Sequence, residues 1–205
     1  MMSEKPEISA EQVKKLRDAT GAGMMDCKRA LEEASGDDAR AIEILRERGL
    51  AQAQKRATRS ANQGLVESYI HFNNTVGVLV EVNCETDFVA NTPDFRQLTK
   101  DVALHIASAM PQWVTRDQVP EEILQAERRI YEAEARQAGK PENIIDRIVE
   151  GKLQGFFKTA VLVDQPFVKD DNKTIQQLLD EVSSKVGEKV AVRRFVRYKL
   201  GEDLD

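Results

Sequence analysis

The chain's stock of reactive side chains is small: two thiols, Cys27 and Cys84, and two imidazoles, His71 and His105, in 205 residues. Two Cys cannot build a disulfide framework or a four-thiolate zinc site, and two His leave little for an imidazole-based metal centre. A thiol nucleophile needs a base, and no spacing ties either Cys to either His. Cys84 falls in phase with Val76, Val78, Val80 and Val82, the pattern of a small buried hydrophobe; reactivity is the other reading, and only the residue type favours it. His105 sits at the edge of an apolar helical stripe, as a packed or half-exposed structural side chain. Thr20-Gly21-Ala22-Gly23 lacks the Gly-Lys-Ser/Thr ending and the preceding strand of a phosphate loop, and reads as a turn. No carboxylate pair stands out from the solvated charge. The expectation is a chain that is not an enzyme and holds neither metal nor cofactor.

Charge narrows the partners. Thirty Lys and Arg against 35 Asp and Glu give a formal charge of -5, the wrong sign for a general nucleic-acid binder. Apolar runs stop far short of the roughly 20 residues of a membrane helix. Met1–Pro6 has no apolar leader core, so a cytoplasmic location is expected.

Two places break the local rules. In the second helix Cys27, Ala30, Leu31 and Ala34 form the buried stripe, with Met24 near it. Met25 points to the opposite side with Lys28, Arg29 and Glu32. An outward Met beside cations is either scatter or an adaptable contact patch, and pattern alone leans to scatter. In Thr86-Asp87-Phe88-Val89 the Phe either folds back onto the following helix, with Asp87 as a turn residue, or protrudes as an apolar wedge beside a carboxylate. Pattern alone leans to the first.

The elements that must position these residues make an α+β chain. Residues 1–52 form a three-helix module. Ser9 and Gln12 supply a capping box for the first helix, which Gly21 ends. The second helix stops at Gly36; the third buries Ile42 and Leu45 and stops at Gly49. Residues 53–63, with Lys55, Arg56, Arg59 and no acid, form a linker. The core, 64–205, opens on a hairpin, Leu65–Phe72 and Thr75–Cys84, around a two-residue Asn73-Asn74 turn. A loop over Glu85–Asn91 leads to a helix from Thr92-Pro93 to about Ala109, with Phe95, Leu98, Val102 and Ile106 inward. A helical hairpin spans about 120–158, turns at Gly139-Lys140-Pro141 and has a seam of Ile123, Ala126, Ile130, Ala133 and Gln137. Thr159–Val163 reads as strand-like. A helix capped by Thr174 and Gln177 carries Leu178, Leu179, Val182 and Val186 and ends at Gly187. Lys189–Leu200 completes a three-stranded antiparallel sheet, with Val190, Val192, Val196 and Tyr198 on one face and Arg193, Phe195, Arg197 and Lys199 on the other.

At the two odd places the sequence resembles a known family. LRDATGAGMMDCKRAL (16–31) and EVNCETDFVAN (81–91) are similar to the two signature segments of elongation factor Ts, and the similarity continues through GKPENIIDRIVEGKLQGFF (139–157) and DQPFV (164–168). The resemblance implies a guanine-nucleotide exchange factor of translation that acts on GDP-bound elongation factor Tu, with no direct nucleic acid and no membrane. It implies that the N-terminal module, similar to ubiquitin-associated domains, docks on the partner's GTPase domain through Met24, Met25 and Lys28. It implies that Thr86, Asp87, Phe88 and Val89 insert near the partner's magnesium and phosphate site. Tyr69-Ile70-His71 and Val186-Gly187-Glu188 match positions facing the partner more weakly. His71 is thereby reread as a contact, where the strand alone makes it exposed or core-edge. Longer members hold two core repeats and this chain holds one, as in the shorter homodimeric members. A homodimer is therefore expected, its sheet pairing across the interface, with 189–200 as a pairing edge because Phe195 is read as outward. A bacterial cytoplasm is favoured, an organelle stroma or matrix being the alternative. Two other functions stay open: a passive holding module built on the small domain and the coiled-coil arm, and a hydrolase using Cys84.

Overall fold

A computed structural model describes residues 8–56 and 58–202, apart from the side chains of Leu50, Ala53 and Gln54. The reading of Met1–Pro6 lies outside these residues. In chain order the elements are α1 (Ala10–Thr20), α2 (Met24–Glu33), α3 (Asp38–Arg56), β1 (Gln63–Ile70), β2 (Val76–Cys84), α4 (Asp87–Ala90), α5 (Pro93–Ala109), α6 (Glu121–Gln137), α7 (Glu142–Ala160), β3 (Pro166–Phe167), β4 (Asp170–Thr174), α8 (Ile175–Val186) and β5 (Ala191–Lys199).

Val13, Leu16, Cys27, Ala30, Leu31, Ala34, Ala41 and Ile44 form the core of the N-terminal module. Ser9 Oγ accepts from the Gln12 amide at 3.1 Å. The expected capping box is only half formed, because Gln12 Nε2 instead donates to Gly36 O at 2.8 Å and Asp38 Oδ1 at 3.1 Å, stapling α1 to the α2–α3 turn. Helix α3 differs from expectation twice. It buries Ala41 and Ile44 while Ile42 stays exposed, and it runs through Gly49 to Arg56, into the segment read as linker. A mid-helix Gly costs about 1 kcal/mol relative to Ala, and packing of α3 on α8 offsets it. Ser184 Oγ donates to Gly49 O at 3.3 Å, and a Cβ on Gly49 would lie 3.1 Å from Ser184 Oγ.

The sheet runs β1-β2-β5, antiparallel throughout. Alternation in β2 turns Val78, Val80, Val82 and Cys84 onto α5, where Phe95, Leu98, Val102 and Ile106 meet them. The β1–β2 connection is four residues wide rather than two: His71 N donates to Val76 O at 2.9 Å, and Asn74 N donates to His71 O at 2.8 Å. Asn74 adopts φ 57, which Asn tolerates.

In β5 strict alternation fails. Arg194 pairs with Glu81 and Val192 with Val82, so Arg193 is an extra residue, a β-bulge. Val190 and Val192 face the core, as expected. Beyond the bulge the faces exchange: Phe195 packs on the core, and Val196 and Tyr198 are exposed. The outward Phe195 that made 189–200 a pairing edge is thus corrected. Glu81 pins the bulge by accepting from Arg193 Nη1 at 3.1 Å and Arg194 Nε at 2.7 Å. Arg194 first, then Arg193, hold its carboxyl below the usual range.

The helical hairpin forms, α6 against α7, but its seam is set one residue on from the Ala-rich stripe. Leu124, Tyr131 and Ala135 meet Ile145, Val149 and Leu153, while Ile123 and Ile130 are exposed. Of the strand-like 159–163 only Val161 is extended, in a parallel bridge to Trp113; the rest is the end of α7 and a 3-10 turn, Leu162–Asp164.

His105 is fully buried. Val168 N donates to its Nδ1 at 3.3 Å, so Nε2 carries the proton and donates to Gln165 Oε1 at 2.9 Å. Burial holds its pKa below the ordinary value, with the Gln165 bond opposing. The unfolded His takes up a proton near about pH 6.5, and the folded one only at lower pH. This contribution to stability is therefore present above about pH 6.5 and is lost as pH falls from there through the folded value. Urea titrations at about pH 7.5 and 5.5 are expected to show a loss on acidification that His105→Gln reduces.

Candidate partner interface

The Thr86–Val89 segment lies where β2 leaves the sheet. Cys84, the last core residue of β2, donates its thiol to Thr86 O at 3.1 Å. Burial, helped by nearby Glu188, pushes that thiol up to about 11. It is therefore protonated near neutral pH and acts as a buried hydrophobe. A disulfide reagent is expected to label neither Cys27 nor Cys84 in the native chain and both in denaturant, since both are buried.

Where a loop is expected, Asp87–Ala90 make one helical turn. Thr86 has extended backbone, and its Oγ caps the turn by accepting from Val89 N at 3.4 Å. Asn91 Nδ2 donates to Asp87 O at 2.9 Å, and Thr92 Oγ to Val89 O at 2.8 Å. The turn divides the quartet. Val89 is buried and Thr86 half-buried, so these two anchor it. Asp87 is exposed, and Phe88 is 82% exposed. The folded-back reading of Phe88 is overturned: the ring stands in solvent.

The opposite bank of this turn is the α8–β5 connection. The Glu188 carboxylate accepts from Glu85 N and Thr86 N, each at 3.0 Å, and from Thr86 Oγ at 2.7 Å. In return, Glu85 Oε1 accepts from Lys189 N at 2.6 Å and Arg59 Nη1 at 3.3 Å. The Lys189 amide first, then Arg59, hold the Glu85 carboxyl below its usual range. The fold therefore brings Thr86–Val89 beside Val186–Glu188, although Val186 itself is half-buried against the core.

On the N-terminal module, Met25 is 64% exposed and Met24, placed near the core stripe by pattern, is 45% exposed. Both stand at the start of α2, after the Gly21–Gly23 turn. Lys28 is exposed one turn on, with Glu32 at 3.9 Å. The module meets the core along α3 and α8, beside a cleft of about 670 Å³ that includes Gly21, Asp26, Ile42 and Lys185 in its walls.

His71 is not part of either group. It sits at the β1–β2 turn, its Nδ1 3.0 Å from Tyr69 Oη and its ring 4.4 Å from that of the exposed Phe72. The nine residues of β2 separate it from the Phe88 turn, a strand length of about 26 Å.

Sequence reasoning missed the outer face of the sheet. Val66, Ile70, Leu79, Val196 and Tyr198 are all exposed there. Register places Leu79 between Ser68 and Val196, and Gly77 between Ile70 and Tyr198. The signal available was Leu79 itself, an apolar residue on the face opposite the β2 valines, together with Val66 and Ile70 alternating against Leu65 and Tyr69.

Among the described residues, no group of three or more His, Cys, Asp or Glu side chains is placed to share a metal ion, and no helix is long and apolar enough to cross a membrane. Fold and site together define an α+β protein that offers exposed apolar side chains from two elements, α2 of a three-helix module and a capped turn on the core sheet. The family model described as Elongation factor TS matches residues 8–202. Proteins named Elongation factor Ts from Desulforamulus reducens and from Caldanaerobacter subterraneus subsp. tengcongensis are 55% and 54% identical over 97% of this chain and over 92% and 99% of their own lengths. That from Coprothermobacter proteolyticus is 55% identical over 96% of this chain and all of its own. The chain belongs to the elongation factor Ts family.

Proposed function

We propose that this chain is a guanine-nucleotide exchange factor that docks on GDP-bound elongation factor Tu and speeds GDP release by disturbing the partner's magnesium and phosphate site. The observation that carries this reading is the exposed Phe88 on a turn anchored by Thr86 and Val89. A rigid apolar side chain beside the Asp87 carboxylate is suited to intruding on another protein, and the fold itself does not use it. In a GTPase, backbone amides and a bridging Mg²⁺ hold the nucleotide phosphates. Shifting the elements that hold the metal weakens that charge neutralisation. A loss of about 4 kcal/mol appearing in the off-rate speeds release roughly a thousandfold. Met24, Met25 and Lys28 supply the separate docking contact; Met side chains adapt to such surfaces.

No bond is made or broken in this scheme, so the chain is not an enzyme and needs no cofactor of its own. By linkage, bound nucleotide weakens factor binding as much as factor weakens nucleotide binding. The chain works as a homodimer, and the outer sheet face is the surface it would bury. An apolar patch of this kind on an isolated monomer is an aggregation liability. Its place is the cytoplasm of a bacterium, without membrane or direct nucleic-acid contact. Release of labelled GDP from elongation factor Tu, with and without the chain, tests the proposal. A partner that is bound but releases GDP no faster would make the chain a passive holding module.

A further inference from the structure

We propose that Glu188 is a positioning residue for exchange: it does not meet the partner but sets the direction of the Phe88 wedge. This inference rests on the exchange reading above. Helix α4 has only four residues, too short to hold its own shape, since helix nucleation is unfavourable and short helices are marginal in water. Its orientation must be imposed from outside. Val89 and Ala90 fix one side of it in the core. The other fixed point is the Glu85–Thr86 backbone, and both of those amides donate to a single Glu188 oxygen, Oε2. Glu188 Oε1 accepts a hydrogen bond from the Thr86 hydroxyl. With the hydroxyl hydrogen directed at Glu188, the lone pairs of Thr86 Oγ face the Val89 amide, so the cap on α4 is oriented by Glu188 at one remove.

Glu188 is itself held. Gly187, at φ 78, ends α8 and lets the chain turn back. Ser183 Oγ donates to Glu188 O at 2.6 Å. The Glu85 carboxylate closes the loop in the other direction through Lys189 N. Two acidic side chains, Glu188 accepting two backbone amides and Glu85 one from the facing segment, clasp the wedge to the α8–β5 connection. All three bonds accepted by the Glu188 carboxylate point into this clasp, so it is engaged within the chain rather than offered outward.

Glu188→Gln preserves shape and volume but presents an amide nitrogen to backbone donors if its oxygen stays on Thr86 Oγ. Glu188→Asp keeps the charge on a shorter arm. Saturation curves of GDP release from elongation factor Tu are expected to show the maximal rate of Glu188→Gln lowered about tenfold, the half-saturating concentration within about threefold of the unsubstituted chain, and part of the rate recovered in Glu188→Asp. In the free variant the Glu85 and Thr86 amides are expected to exchange hydrogen at least about tenfold faster, with melting and near-UV circular dichroism retained. An unchanged maximal rate overturns the inference. So does a raised half-saturation point at full maximal rate, which would make Glu188 a partner contact. Loss of tertiary signal in both variants also overturns it, because the role would then lie in the fold. The unsubstituted chain run alongside separates the two readings. If it fails to release GDP, exchange itself falls, and the amide exchange of the free chain still reports whether Glu188 holds the turn.

Discussion

Replacing Asp87 and Phe88 together by Ala is expected to slow stimulated GDP release by about two orders of magnitude and to leave the melting temperature within about 3 °C. The two halves of this expectation come from the same geometry. Phe88 is mostly in solvent, so truncation removes little that the fold buries. The Asp87 side chain is exposed, and the bonds that shape the turn use its carbonyl instead, which accepts from Asn91 N at 3.2 Å and Asn91 Nδ2 at 2.9 Å. An aromatic anchor seated in a partner commonly carries 2 kcal/mol or more, and about 2.7 kcal/mol expressed only in the transition state of release is a hundredfold in rate. Stopped-flow release with a fluorescent nucleotide checks the first half and thermal melting the second. A collapse in stability would make Phe88 part of the fold; an unchanged rate would remove the wedge from the mechanism.

The second large effect concerns assembly. The chain is expected to sediment as a dimer at micromolar concentration, and Leu79→Lys with Tyr198→Lys to sediment as a monomer of 23.1 kDa. Leu79 and Tyr198 sit on adjoining strands of the outer sheet face, both already exposed in the single chain, so Lys is tolerated there by the isolated fold. In a dimer burying that face each symmetric pair would bring uncompensated ammonium groups into an apolar interface, at a cost of several kcal/mol per buried ion. That is at least about a hundredfold in dissociation constant. Circular dichroism unchanged from the parent shows that folding is intact. A parent chain that is monomeric, or a double variant that remains dimeric, sends the interface elsewhere.

What could be read from the sequence were features whose causes lie close together along the chain. The β2 valines with Cys84, the α5 stripe from Phe95 to Ile106 and the reciprocal Thr174–Gln177 cap of α8 all stand as the sequence implied. The helical hairpin also turns where Gly139 and Pro141 indicated. Features set by distant partners were not legible. The bulge that turns Phe195 inward is pinned by Glu81, more than a hundred positions before it. Gly49 fails to stop α3 because α8 supplies the packing. The direction of Phe88 was open between two readings for the same reason: it follows from the Thr86 cap, and that cap is oriented by Glu188, 102 positions on. An exposed apolar side chain and a buried one look alike in a seven-residue loop, and only the tertiary clasp decides between them.

The most direct test of the account is the rate of labelled GDP release from elongation factor Tu as the concentration of the unsubstituted chain is raised. The rate is expected to climb and saturate at a plateau roughly a thousandfold above spontaneous release. A rate that stays at the spontaneous value while the two proteins co-sediment would contradict it.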